Sequence, residues 1–160
     1  MQWGRIIVIM IISVIGAGSC DQKTYQVAED VGRLIAQGGA ILITGGLGGV
    51  MEAASKGANE AGGTVIGILP GFSKKDANAY VTVPLITGLS HARNVIVVRS
   101  ADAVIAVAGE YGTLSEIAIA LKLGKPVIGI HTWENIEGVV KLDNAEDAVA
   151  RAFELAGESR

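Results

Sequence analysis

Few side chains in this sequence can do chemistry, and those few stand behind or between glycines. Glu116 lies three residues after Thr113 in the run Gly109-Glu110-Tyr111-Gly112-Thr113-Leu114-Ser115-Glu116. That spacing has two readings. Glu116 is either the partner in a Thr-x-x-Glu capping box, satisfying a backbone donor at a helix start, or a ligand-binding or catalytic carboxylate facing a crevice. Arg93 and Asn94 precede four apolar residues, Val95-Ile96-Val97-Val98. A polar first turn on an otherwise buried helix points at a pocket, so Arg93 and Asn94 are expected to face one. His91, just before them, reads as a local hydrogen-bonding residue.

Two more glycine-rich stretches are present, Gly16-Ala17-Gly18-Ser19-Cys20-Asp21 and Thr44-Gly45-Gly46-Leu47-Gly48-Gly49. Bare backbone N–H groups at a strand-to-helix turn cradle an anion, because no side chain blocks its approach and the helix N-terminus attracts negative charge. Three such loops in one short chain predict binding of a phosphate or similar anion. The first loop would contribute Gly18 and Ser19. The second would contribute Gly45, Gly46, Gly48 and Gly49, and the third Gly109, Gly112 and Thr113. Two nucleotide motifs are excluded. The first loop places Asp21 where a dinucleotide fingerprint needs its third glycine, and the second strand runs into Thr44-Gly45 instead of an acid for a ribose hydroxyl. The second loop also lacks the Lys-Ser/Thr pair of a P-loop.

These loops need strands and helices to hold them, and the apolar pattern supplies both. Short apolar runs at 11–15, 41–43, 65–69, 103–107 and 127–130 read as strands, with weaker ones at 80–86 and 138–142. Between them, helical spacing appears over 24–37, 50–61, 90–99, 113–123 and 145–156. Asp21 or Thr24 is a candidate cap for the first helix and Asn144 for the last, and Gly38-Gly39 and Gly62-Gly63 end two of them. Strands alternating with helices predict right-handed βαβ units: a single Rossmann-like α/β domain over 1–160, doubly wound around a mostly parallel sheet. Half of the 160 residues are hydrophobic but only 4% are aromatic, so Ile, Val, Leu and Ala must fill a core covered on both faces.

Composition narrows the partners. A net charge of −3 without a basic stripe argues against nucleic acid. One cysteine, Cys20, and two histidines, His91 and His131, give no disulfide framework and no zinc spacing. The chain is expected to be cytoplasmic, without a metal and without a membrane partner. Arg5, the apolar run 6–12 and Ala17-Gly18-Ser19-Cys20 have the order of a lipoprotein signal. A buried first strand running into a glycine turn is the preferred reading, since cleavage would remove a strand that the pattern needs. The run exceeds a strand of about six residues, so residues 1–9 are expected to be an extension.

The segments Gly45-Gly46-Leu47-Gly48-Gly49-Val50-Met51-Glu52, Ser90-His91-Ala92-Arg93-Asn94 and 109–116 together resemble the LOG-type Rossmann superfamily. Its members include nucleoside 5′-monophosphate phosphoribohydrolases and molybdenum cofactor carrier proteins, and many carry an old lysine decarboxylase label. The likeness runs from about Met10 through nearly the whole chain. The hydrolases' signature is Pro-Gly-Gly-x-Gly-Thr-x-x-Glu with an Arg-Lys pair upstream. Arg93, Gly112, Thr113 and Glu116 match it, whereas Ala108, Glu110 and Asn94 replace its proline, second glycine and lysine. Glu110 adds a negative charge beside the expected anion cradle, which weakens it if the side chain faces inward. These departures point to the carrier-like branch. The resemblance then implies a module binding a phosphate-bearing pterin or nucleotide, the molybdenum cofactor or a nucleoside monophosphate, with no cofactor required for its own fold. The alternative is hydrolysis of an N-glycosidic bond. There Glu116 and Arg93 would be the catalytic pair, Glu116 stabilising an oxocarbenium-like sugar or activating water and Arg93 orienting the ligand while keeping Glu116 ionised. A signalling sensor that binds a nucleotide is a third reading. No lysine stands in a pyridoxal phosphate context, which removes the decarboxylase. Resembling proteins assemble as dimers or larger through the helices at 93–98 and 113–123, so a homodimer or higher homo-oligomer is expected.

Overall fold

Five consecutive apolar residues, Ala103–Val107, form strand β5, and every one of them is buried. Such a run has no solvent face to alternate with, as expected for a parallel strand covered on both sides. In the computed structural model, which describes residues 8–159, β5 lies next to the central strand β1 in a sheet ordered β4-β3-β2-β1-β5-β6-β7. The other strands are β1 (Ile11–Gly16), β2 (Ile41–Thr44), β3 (Val65–Leu69), β4 (Val83–Ile86), β6 (Val127–Ile130) and β7 (Val139–Lys141). All six neighbouring pairs are parallel. The helices are α1 (Gln22–Gln37), α2 (Val50–Glu60), α3 (Arg93–Arg99), α4 (Tyr111–Lys122) and α5 (Ala145–Glu158). This is the expected doubly wound Rossmann-like fold.

Alternate residues of the central strands divide the core in two. Ile12 and Val14 of β1 and Ile105 of β5 pack with α1, α2 and α5 on one face. Ile15 of β1 and Val104 and Ala106 of β5 pack with α3 and α4 on the other. On the first face α1 and α2 meet backbone to backbone: a Cβ at Gly32 would fall on the Ala54 carbonyl, and one at Gly57 on that of Glu29. On the second face the buried Ser13 hydroxyl donates to the Val97 carbonyl (2.5 Å), holding α3 against β1.

Strand order reverses between β1 and β5, since β2–β4 are laid down on one side of β1 and β5–β7 on the other. This switch point is where open α/β sheets bind ligands beyond their strand ends. Helix caps agree with the pattern: Asp21 accepts from the Thr24 N–H and Asn144 from that of Asp147. Other boundaries shift. Strand β4 covers only Val83–Ile86 and tolerates Pro84 because it is an edge strand. The loop at 72–79 contains a 3-10 turn, Lys74–Asp76. The helix expected from 90 opens as a 3-10 turn, Ser90–Ala92, before α3 begins at Arg93. Residues 1–7 of the expected extension lie outside the described residues, and Val8 and Ile9 are exposed, without regular structure. Among the described residues no helix is long and apolar enough to cross a membrane.

Candidate functional site

The backbone beyond β1 and β2 is built by interlocking glycine loops. The Val50 N–H donates to the Ala17 carbonyl (2.9 Å), and a Cβ on Gly49 would strike Ala17 and Gly18. Only a glycine lets the two loops touch there. Gly49 also takes φ +61°, outside the comfortable range of larger residues. Between these loops and the starts of α3 and α4 lies a cavity of about 180 Å³.

Seven expected residues line it: Gly18, Gly45, Arg93, Asn94, Gly112, Thr113 and Glu116. Ser19, Gly46, Gly48, Gly49 and Gly109 do not line it. The conformations of three of them serve the loops, with φ +76° at Gly46, +61° at Gly49 and +116° at Gly109. The cavity also takes in Met51, His91 and Glu110, together with the β1 end at Val14, Ile15, Gly16 and Ala17. His91 was expected to be a satisfied local hydrogen-bonding residue; it is exposed at the cavity, and its side chain makes no hydrogen bond among the described residues. Its place two residues before Arg93 was the available signal. Glu110 borders the cavity and is itself exposed.

Arg93 and Glu116 are each only 8% exposed. Arg93 has room because residue 45 is glycine: a Cβ there would fall on the guanidinium. The Arg93 Nε is buried and has no hydrogen-bond partner among the described residues. Arg93 and Glu116 form no salt bridge among them, yet each feels the other's charge. Burial pushes the Glu116 carboxyl up to about 7 while Arg93 pulls it back. The expectation that Arg93 keeps Glu116 ionised is therefore corrected, since desolvation outweighs the attraction. Burial likewise lowers the Arg93 guanidinium from its ordinary value, and Glu116 raises it.

Helix α4 begins at Tyr111 with Glu110 as its cap residue, which makes no side-chain capping bond. Thr113 is therefore third in the helix, and the Thr113–Glu116 pair is not a capping box at its start. The Glu116 carboxylate accepts no hydrogen bond among the described residues. The first-turn N–H groups at Tyr111, Gly112 and Thr113 have no intrahelical acceptor, as at any helix start, and two of these residues line the cavity. Neighbouring elements brace this turn. Trp133 Nε1 donates to the Glu110 carbonyl (3.1 Å), and Ser115 Oγ donates to that of Gly112 (2.7 Å) while lying 3.5 Å from Asn94 Nδ2. The arrangement can hold an anionic group on α4's N–H groups and Arg93, with one protonatable carboxyl beside it.

Known proteins share this fold and family. A family model described as the SLOG cluster4 family matches residues 9–155. A protein of Archaeoglobus fulgidus is 54% identical over 142 residues, 88% of this chain and 93% of that one. The molybdenum cofactor binding protein of the phototrophic bacterium Rippkaea orientalis is 37% identical with a TM-score of 0.88, covering 93% of this chain and 98% of its own. The Moco carrier protein of Chlamydomonas reinhardtii is 35% identical with a TM-score of 0.85, covering 94% and 99%. The LOG-type, carrier-like resemblance of the three motifs is thus what the comparisons show.

Proposed function

The chain belongs to the SLOG cluster4 family, and from that premise we propose that it is a carrier-like module that binds a phosphate-bearing pterin or nucleotide, with the molybdenum cofactor as cargo. The observation that carries this reading is Arg93: a buried guanidinium with an unpartnered Nε, given room by Gly45, facing the same cavity as the open first turn of α4. An unpaired buried donor is costly unless a ligand completes it. The likeness to two proteins named for molybdenum cofactor binding supports the cargo's class. A cavity of about 180 Å³ is smaller than the roughly 300 Å³ at which pockets for drug-sized ligands begin. The phosphate end would therefore sit inside, with the ring system over the rim.

The hydrolase reading keeps one observation in its favour. Glu116, pushed up to about 7, is matched to proton transfer at neutral pH. The third loop opposes it. Ala108 stands at φ +49° and donates its N–H to the Ile130 carbonyl (3.1 Å), where the hydrolases carry a proline that can do neither. One paired experiment decides. Binding of isolated molybdenum cofactor is measured by anaerobic titration, and AMP and related monophosphates are incubated with the protein and assayed for free base. The carrier reading expects binding and no base release; base release that vanishes in Glu116→Gln overturns it.

A further inference from the structure

A second cavity, of about 200 Å³, opens on the α1 side of the sheet, and none of its lining residues borders the first. Val107 and Ile130, the buried last residues of β5 and β6, form its floor with Val27 of α1. Lys23 and His131 stand exposed around it. Neither side chain makes a salt bridge or hydrogen bond among the described residues. Asp21, at the start of α1, turns its carboxylate to the Thr24 N–H (2.7 Å). Two lining residues, Ala108 (φ +49°) and His131 (φ +47°), are left-handed although neither is glycine. Such conformations are unfavourable for L-residues and collect at functional sites. Here they occur at the carboxyl ends of adjacent strands, where sheets of this kind bind ligands.

We propose that this cavity is a second binding site, for a small organic anion with an apolar body. The anionic group sits between Lys23 and His131, and the body, of single-ring size, lies on Val27, Val107 and Ile130. An inorganic anion would leave the apolar floor uncovered, and a neutral apolar molecule would leave both basic groups unused. The site does not depend on what occupies the Arg93 cavity.

The test is an amide-resolved NMR titration of the whole protein with phenyl phosphate and with benzoate, using inorganic phosphate as the probe without an apolar body. Phenyl phosphate, benzoate or both should shift Val27, Ala108 and His131, and inorganic phosphate should bind there at least tenfold more weakly. Lys23→Ala and His131→Asn should each weaken the bound probe about tenfold. Asn accepts a left-handed backbone, and Lys23 is exposed, so both variants keep the fold, which unchanged melting confirms. Binding should persist in Glu116→Gln, separating this site from the first. No shift at millimolar concentrations of either organic probe, shifts confined to Arg93 and Glu116, or full affinity in both variants would each overturn the proposal.

Discussion

Glu116 links pH to both folding and binding. Its folded carboxyl titrates near 7 because it is buried, whereas in the unfolded chain it titrates near 4.5. The folded state therefore holds the proton more tightly. Its stabilising share is complete below about 4.5, declines as pH rises, and is gone above about 7. Glu116→Gln removes this dependence, so the variant should match the parent near pH 4.5 and exceed it at pH 8 by up to about 3 kcal/mol. Denaturant midpoints at the two pH values check it. On the proposed function the same carboxyl should also set anion affinity. Above pH 7 its negative charge faces Arg93 and opposes an incoming anion, so the dissociation constant for AMP should rise by up to about tenfold per pH unit. Glu116→Gln should flatten that profile, as titrations from pH 6 to 8.5 will show. Gly45→Ala is the complementary probe. Its new methyl would meet only the side-chain ends of Arg93 and Met51 and displace them, so melting should change little while AMP affinity falls at least tenfold.

At the scale of elements, the third loop separates this chain from the hydrolases it resembles. Ala108 closes β5 in a left-handed conformation and bonds β6 through its own N–H. Proline has neither that angle nor that donor, so Ala108→Pro should cost about 3 kcal/mol or more. Equilibrium urea unfolding measures it; a variant as stable as the parent would mean the loop rebuilds easily. The strand cores and helix spans were legible because burial on both faces leaves uninterrupted apolar runs, and helices show their buried stripe. Helix starts were less legible. Thr-x-x-Glu looks the same at a cap as one turn inside, and only the path of the chain from β5 decides that α4 opens at Tyr111. The same holds for 90–99, where a 3-10 turn precedes the helix without any mark in composition.

For the whole molecule, the expected assembly follows from unpartnered apolar surface. Val95 on α3 is 36% exposed, and Leu85 and Ile86 of β4 and Leu89 after it are each more than 40% exposed. A homodimer through α3 and α4 burying more than about 1,000 Å² is the expected outcome. Light scattering at micromolar concentration checks it, and Val95→Glu should shift the mass toward one chain. A parent that is monomeric under those conditions would contradict it.

By itself the sequence determined the sheet's parallel character, the order of strands and helices, and the three glycine-rich loops. These are local matters, written in runs of apolar residues and in turns that only glycine makes easily. It also singled out Arg93, Asn94 and Glu116, because polar residues at the edge of apolar helices are conspicuous. Only the tertiary structure decided which glycines face the cavity and which join loops to one another, since both uses look alike in one dimension. It also decided the charge of Glu116. A carboxyl's protonation depends on how much water surrounds it and how near its counter-charge stands, and both are set by elements far apart in the chain.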